Sequence, residues 1–195
     1  MLHKTNGWLE IICGCMFSGK TEELMKRIRQ AEQNHLLVKV FKPAIDVRFS
    51  NHSIMSHNGS SVAAISVKNA QELLNCVPKD IDMIGIDEAQ FFDEDIVSVV
   101  NMLADQGVRV IVAGLDTNFR GDPFGPMSSL MATSDSITKL HAICTICHST
   151  ATCTQRIMNG KPVSYDAPVI LIGAEESYEA RCRFHHEVPN KPSLL

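Results

Sequence analysis

An α/β fold, with a mostly parallel sheet covered by helices on both faces, is what this sequence predicts, on three observations. Short apolar runs alternate with segments of helical periodicity along the first two thirds of the chain. The first apolar run passes straight into Gly14-Cys15-Met16-Phe17-Ser18-Gly19-Lys20-Thr21, a glycine loop of the form GxxxxGK[ST]. A later apolar run ends on the paired acids Asp87 and Glu88.

Taken in order, Trp8 to Cys13 is a buried strand broken only by Glu10. The segment after Thr21 is a helix, with Leu24, Met25, Ile28 and Ala31 on one face and Glu22, Lys26, Arg27 and Arg29 on the other. A glycine loop between strand and helix turns backbone N–H groups inward at the positive end of the helix dipole, which is a site for a triphosphate. Lys20 then reaches the terminal phosphates and the Thr21 hydroxyl ligates magnesium. Leu36 to Phe41 is a second strand, and the Ser-, Asn- and His-rich stretch from Ser50 to Ser61 reads as a mobile loop. Asn69 to Cys76 is a short helix and Met83 to Asp87 a buried strand. Asp93 to Gln106 is a helix with Ile96, Val97, Val100, Leu103 and Ala104 inward, stopped by Gly107, and Val108 to Leu115 is another buried strand.

These elements form a P-loop NTPase domain of RecA-like kind over residues 1–138, with Asp87 at the strand end beside the phosphate loop, where a magnesium-holding carboxylate belongs. Glu88, one residue on, is placed to act as general base on the group that attacks the γ-phosphate: water in an ATPase, a hydroxyl in a kinase.

From about Lys139 helical periodicity fades, and Cys, His and Pro accumulate. Residues 139–195 form a second unit too small to hold itself together by burial alone. Cys144 with Cys147 and Cys182 with His185 share one spacing and together make a tetrahedral zinc site, while His148, Cys153 and His186 are nearby competitors. Four protein ligands leave no open position, so the zinc is structural. The loop it closes carries Val169-Ile170-Leu171-Ile172-Gly173, which either lies over a flat ligand and reads its edge with backbone groups or forms a hairpin strand on the small unit.

Composition narrows the classes. A chain of 195 residues with net charge −4 lacks the clustered Lys and Arg of a broad nucleic-acid surface. No run approaches the roughly 18 apolar residues of a membrane span, and the first apolar segment continues into the glycine loop and so is not a signal peptide. Cytoplasmic residence is the expectation, with the seven cysteines as thiols and metal ligands. Two function classes fit: a P-loop phosphotransferase, and a nucleic-acid-dependent ATPase with a zinc ribbon.

In four stretches (Met16 to Thr21, Lys42 to Arg48, Gly85 to Phe92, and Pro123-Phe124-Gly125), the chain resembles the zinc-containing thymidine kinases of the bacterial, poxviral and animal cytosolic type, from about Trp8 to Glu187. The resemblance implies transfer of the ATP γ-phosphate to the 5′-hydroxyl of thymidine, giving dTMP and ADP in nucleotide salvage; because sensing the thymine 5-methyl group is worth only about 1–3 kcal/mol, deoxyuridine is expected as a second acceptor. The resemblance also implies Mg2+ with ATP, a structural Zn2+, dTTP as a feedback inhibitor, a homotetramer, and no nucleic-acid or membrane partner. By the same resemblance Glu88 is catalytic. ATP is held by Gly14, Cys15, Met16, Phe17, Ser18, Gly19, Lys20 and Thr21, with Asp46, Arg48, Asp87, Glu88, Ala89 and Gln90 alongside. Met16, Phe91, Leu115, Phe119, Phe124 and Thr154 surround the base. Val169, Ile170, Leu171, Ile172, Gly173 and Tyr178 form a lasso-like loop over it, and Cys144, Cys147, Cys182 and His185 bind zinc. The chain ends soon after the last ligand, so the regulatory tail of animal members is expected to be missing.

Overall fold

The computed structural model describes residues 7–45, 53–55, 61–170 and 176–192. Its elements are β1 (Trp8–Gly14), α1 (Lys20–Gln33), β2 (Val38–Pro43), β3 (Ser53–Met55), β4 (Ser61–Ala63), β5 (Ile65–Val67), α2 (Ala70–Asn75), β6 (Met83–Ile86), α3 (Asp95–Asp105), β7 (Arg109–Gly114), α4 (Met127–Thr133) and β8 (Ser136–Leu140). The chain continues through β9 (Ala142–Ile143), β10 (Thr150–Ala151), β11 (Cys153–Met158), β12 (Lys161–Pro162) and β13 (Glu176–Arg181).

Six strands form one sheet in the order β5-β2-β6-β7-β1-β8, every pairing parallel. Alternation along each strand sorts the core into two layers. Leu9, Ile11, Val110 and Val112 point to one side, where they pack with Leu73 of α2, Val100 and Leu103 of α3 and Leu130 of α4. Ile12, Ile111 and Ala113 point to the other, where Leu24, Met25, Ile28 and Ala31 of α1 cover them. The helix–sheet approach is close: a Cβ on Gly85 would lie 3.2 Å from the Ile28 side chain.

Glu10 interrupts the apolar run on the α1 side and is buried there. One carboxylate oxygen accepts from Arg27 of α1 at 2.6 Å, and the other accepts from Arg109 of β7, also at 2.6 Å. Arg27 also bonds Glu23 and the Thr138 hydroxyl on β8, so one acid ties helix and three strands together. Removing it leaves two guanidinium groups without their shared partner. Glu10→Ala is expected to destabilise the fold by about 2–4 kcal/mol, near the lower end for a broken buried pair because Arg109 is partly exposed; urea denaturation measures it.

Most of the expected elements are present with shifted ends. The second strand runs later, Val38–Pro43, and Leu36 and Leu37 before it are exposed. Trp8 is also exposed, so β1 becomes buried only from Leu9. Asn69 caps α2 by accepting the Glu72 N–H at 2.8 Å. In α3 the inward residues are Ile96, Val99, Val100 and Leu103, with Val97 and Ala104 only packed against that core. The stretch expected as a mobile loop carries β3 and β4 at its two ends, paired antiparallel, with Ile54 buried. Its polar composition hid three-residue strands too short to show alternation. Also not foreseen were the edge strand β5, the seven-residue helix α4, the strands β9 to β13, and β8, whose exposed Ile137 and Lys139 alternate with half-buried Ser136 and Thr138 and so reverse the usual pattern.

Beyond β8 lie two small antiparallel sheets, β9 with β10 and β11 between β12 and β13. Their core is small, formed by Cys144, Ala151 and Ala180 together with Cys15 of the phosphate loop.

Candidate active site and metal centre

The phosphate loop starts where β1 leaves the sheet. Gly14 has φ 141°, and a Cβ there would lie 2.2 Å from the Leu140 carbonyl oxygen, so only glycine fits beside β8. Inside the loop, the Ser18 hydroxyl and the Lys20 ammonium both donate to the Cys15 carbonyl at 2.8 Å. The lysine therefore lies folded over its own loop, within reach of the space a phosphate would take. Burial pushes the Cys13 thiol up to about 11, with the Asp116 carboxylate adding to the effect. Burial also raises the Cys15 thiol. Both cysteines stay protonated at neutral pH and serve packing, not nucleophilic attack.

Asp87 lies at the end of β6, buried. It accepts from the Thr21 hydroxyl at 3.2 Å and from the Glu88 N–H at 3.0 Å. Burial, and then the neighbouring Glu88 charge, raise its carboxyl to about 7 against those two bonds and Lys20. A folded pKa raised above the unfolded one means that ionisation of Asp87 costs stability. That penalty is absent below about pH 4, grows as pH rises toward about 7 and is complete above it. Asp87→Asn is therefore expected to raise the melting temperature of the free protein at pH 8, with no gain at pH 4; calorimetry at the two values checks it.

Glu88 sits in the left-handed region, φ 52° and ψ 40°, at the head of a 3-10 turn over Ala89–Phe91. A non-glycine residue held there carries local strain, which native structures keep mainly where function requires it. Gln90 orients it: its amide nitrogen donates to the Glu88 carboxylate, and its amide oxygen accepts the Leu115 N–H at 2.9 Å. Gln90 thus links the acid to the end of β7. Gly125, at φ 50°, packs so close that a Cβ would meet the Gln90 carbonyl oxygen at 2.3 Å.

The aromatic residues named from the sequence are grouped by the loop after β7. Phe91 and Phe124 meet edge to face at 5.5 Å, and both Phe119 and Leu115 are buried. Two arginines stack near the Phe119 ring, Arg156 at 5.2 Å and Arg120 at 5.7 Å. Arg156 donates to the Pro168 carbonyl at 2.6 Å and Arg120 to the Ala167 carbonyl at 2.8 Å. Arg120 was not singled out in the sequence, where an isolated basic residue carries no pattern. The same holds for Asp116, a buried acid ion-paired to Lys139 at 2.7 Å. Tyr178 pairs across the small sheet with Arg156, and Thr154 pairs with Ala180. Val169 and Ile170 follow Pro168 in a bend and not in a strand, with Ile170 exposed. Asp46, Arg48, Leu171, Ile172 and Gly173 lie outside the described residues.

Cys144, Cys147, Cys182 and His185 converge, their ligand atoms all within 4.8 Å of one another. Cys147 and Cys182 sulfurs are 3.7 Å apart, and His185 Nδ1 is 3.8 Å from Cys144 Sγ and 3.3 Å from Cys182 Sγ. A tetrahedral zinc with ordinary bond lengths needs edges of about 3.8 Å between sulfurs and about 3.6 Å between sulfur and nitrogen, so the four fit the ion. Burial pushes the Cys144 thiol up, but the N–H groups of Cys147, Cys182 and Ile146 outweigh it and bring it down to about 5. A preformed thiolate suits a cation. His148, Cys153 and His186 stand apart from the cluster; His186 instead bonds the Phe119 carbonyl at 2.8 Å.

A parallel sheet carrying a phosphate loop, with an acidic pair at a nearby strand end and a Cys3His cluster close to the C-terminus, defines a P-loop NTPase with a zinc-type appendage. The chain belongs to the thymidine kinase family: the family model described as thymidine kinase matches residues 7–186, nearly the whole length. It is thus an enzyme of the kinase class. Among solved structures, domain III of the Thermotoga maritima replication initiation protein DnaA is 16% identical, with a TM-score of 0.43 over 68% of this chain and 55% of that one. The Legionella pneumophila ATPase DotB is 16% identical, with a TM-score of 0.41 over 66% of this chain and 34% of that one. The UvsW helicase from bacteriophage T4 is 15% identical, with a TM-score of 0.26 over 68% of this chain and 44% of that one.

Proposed function

We propose that this enzyme transfers the γ-phosphate of ATP to the 5′-hydroxyl of thymidine, and more weakly of deoxyuridine, giving dTMP and ADP in nucleotide salvage. The observation that carries the reading is the acid beside the phosphate loop: Glu88, strained and held by Gln90, next to Asp87 and Thr21. Residues 1–138 serve as the donor unit and residues 139–195 as the acceptor and zinc unit.

The donor phosphates lie along Gly14 to Thr21, and Lys20 leaves the Cys15 carbonyl to meet them. Thr21 and Asp87 would hold magnesium, which when bound screens the phosphate charge. Their convergence fits the ion, since a buried acid resisting ionisation gains most from a cation. Glu88 accepts the proton of the 5′-hydroxyl as that oxygen attacks phosphorus. Phosphoryl transfer requires little else beyond position and charge stabilisation. Thymine lies among Met16, Phe91, Leu115, Phe119, Phe124, Thr154 and Tyr178, beneath the backbone of the loop that starts at Val169. Sensing the 5-methyl group is worth only about 1–3 kcal/mol, so deoxyuridine is accepted at a reduced rate. Cytosine presents the opposite hydrogen-bond pattern to the same backbone groups and is refused.

The family reading also supports inhibition by dTTP, cytoplasmic residence and a homotetramer; sedimentation at micromolar concentration reads the last. Label from γ-labelled ATP, followed into each of the four deoxynucleosides and deoxyuridine, tests the substrate assignment. Thymidine first and deoxyuridine second is the expected order. Equal labelling of deoxycytidine would overturn the pyrimidine assignment.

A further inference from the structure

Three consecutive residues of the phosphate loop each rest on the stretch that runs from the end of β8 into the small sheets. Gly14 pairs with Leu140, in the contact that leaves no room for a Cβ. Cys15 is fully buried, and its thiol donates to the Ala151 carbonyl at 3.5 Å. The Met16 N–H donates to the Thr154 hydroxyl at 3.0 Å. Residues 140–154 also carry Cys144 and Cys147, two of the four metal ligands. The contact is more than proximity, because Cys15 shares its small core with the ligand Cys144 and with Ala151 and Ala180. Ala151 pairs with Ala142 in the hairpin around the first two ligands. The Thr145 N–H donates to the Ala180 carbonyl, fastening that hairpin to the strand that leads into Cys182 and His185.

We infer that Cys15 and Thr154 are positioning residues that join the donor loop to the metal centre, so that bound nucleotide and bound metal each help retain the other. The inference rests on the proposed donor site and on zinc as the metal. Its physical basis is shared order. The zinc fixes residues 140–154, those residues fix the conformation of Gly14 to Met16, and a nucleotide that needs that conformation stabilises the same contacts in return. Linkage makes the effect reciprocal. Thr154 carries the most testable part, because removing its buried hydroxyl leaves the half-buried Met16 N–H without this partner.

The experiment uses the full chain, with one zinc per chain established by metal analysis. Transfer of zinc to a chromophoric chelator is followed with and without saturating magnesium ADP, whose binding is measured separately by calorimetry. Nucleotide is expected to slow zinc transfer about fivefold or more. Lys20→Ala, which loses the phosphate contact, should show no such slowing. Thr154→Val should lose most of it while still holding one zinc, and Thr154→Ser should restore it. Should the valine variant misfold, Cys15→Ala takes its place and is expected to weaken the protection in the same direction. Nucleotide that binds the wild type by calorimetry yet leaves zinc transfer unchanged overturns the inference. Equal protection in wild type and Thr154→Val does so too. No binding of magnesium ADP to the wild type would defeat the donor-site reading itself, and the calorimetry identifies that failure separately.

Discussion

Glu88→Gln is expected to lower kcat by about 10²–10⁴, the range for loss of a positioned general base, while ATP affinity stays near that of the parent. The substitution keeps the shape and changes two things: the oxygen that accepts a proton, and the charge. Gln90 donates its amide N–H to the Glu88 carboxylate, and a glutamine oxygen can still accept that bond, so the 3-10 turn should survive. Loss of the Glu88 charge also relieves Asp87, whose carboxyl is held up by burial and then by that charge. The carboxyl of Asp87 should then titrate lower, and magnesium nucleotide should bind at least as well. Initial rates together with equilibrium ATP binding separate the two effects. Turnover within a fewfold of the parent would remove Glu88 from the proton-transfer role.

Cys144→Ser is expected to cost the metal and, with it, the order of the small unit. Structural zinc binding in small domains is worth about 10–16 kcal/mol, far more than a core of four small residues supplies. The ligand is buried and its sulfur is poised as a thiolate by three backbone N–H groups, features that a serine hydroxyl cannot reproduce. Because Thr154, Arg156 and Tyr178 lie on the small sheet, thymidine affinity should fall at least about tenfold. Metal analysis and a thymidine binding isotherm on the same sample check both halves. A zinc-free variant that binds thymidine normally would contradict the dependence of the acceptor site on its metal anchor.

What the sequence made legible follows from which signals are local. A phosphate loop is a backbone device with fixed glycines, so Gly14 and Lys20 could be named from spacing, and the loop sits between strand and helix as expected. The Cys3His cluster was legible because two pairs with equal spacing have few other uses; His185 is its fourth member, and its neighbour His186 is not part of it. Helix α3 was legible from its 3.6-residue period, and its stop from Gly107, whose φ is 88°. Strands of two or three residues were not, because alternation needs more length to show. Nor were Gln90 as the holder of Glu88, Arg120 and Arg156 flanking Phe119, or the Asp116–Lys139 pair. These depend on contacts between residues far apart in the chain, which periodicity does not record. Glu10 is the instructive case: it looked like a flaw in a strand and is the acid that ties α1 to the sheet.

Transfer of phosphorus from ATP to a nucleoside alcohol beside Glu88 is read by a single-turnover reaction with γ-labelled ATP, magnesium, zinc-loaded enzyme in excess and thymidine. The label is expected in dTMP in step with ADP, and Glu88→Gln is expected to retain it in ATP. Label released as inorganic phosphate, with thymidine left unlabelled, would contradict that transfer.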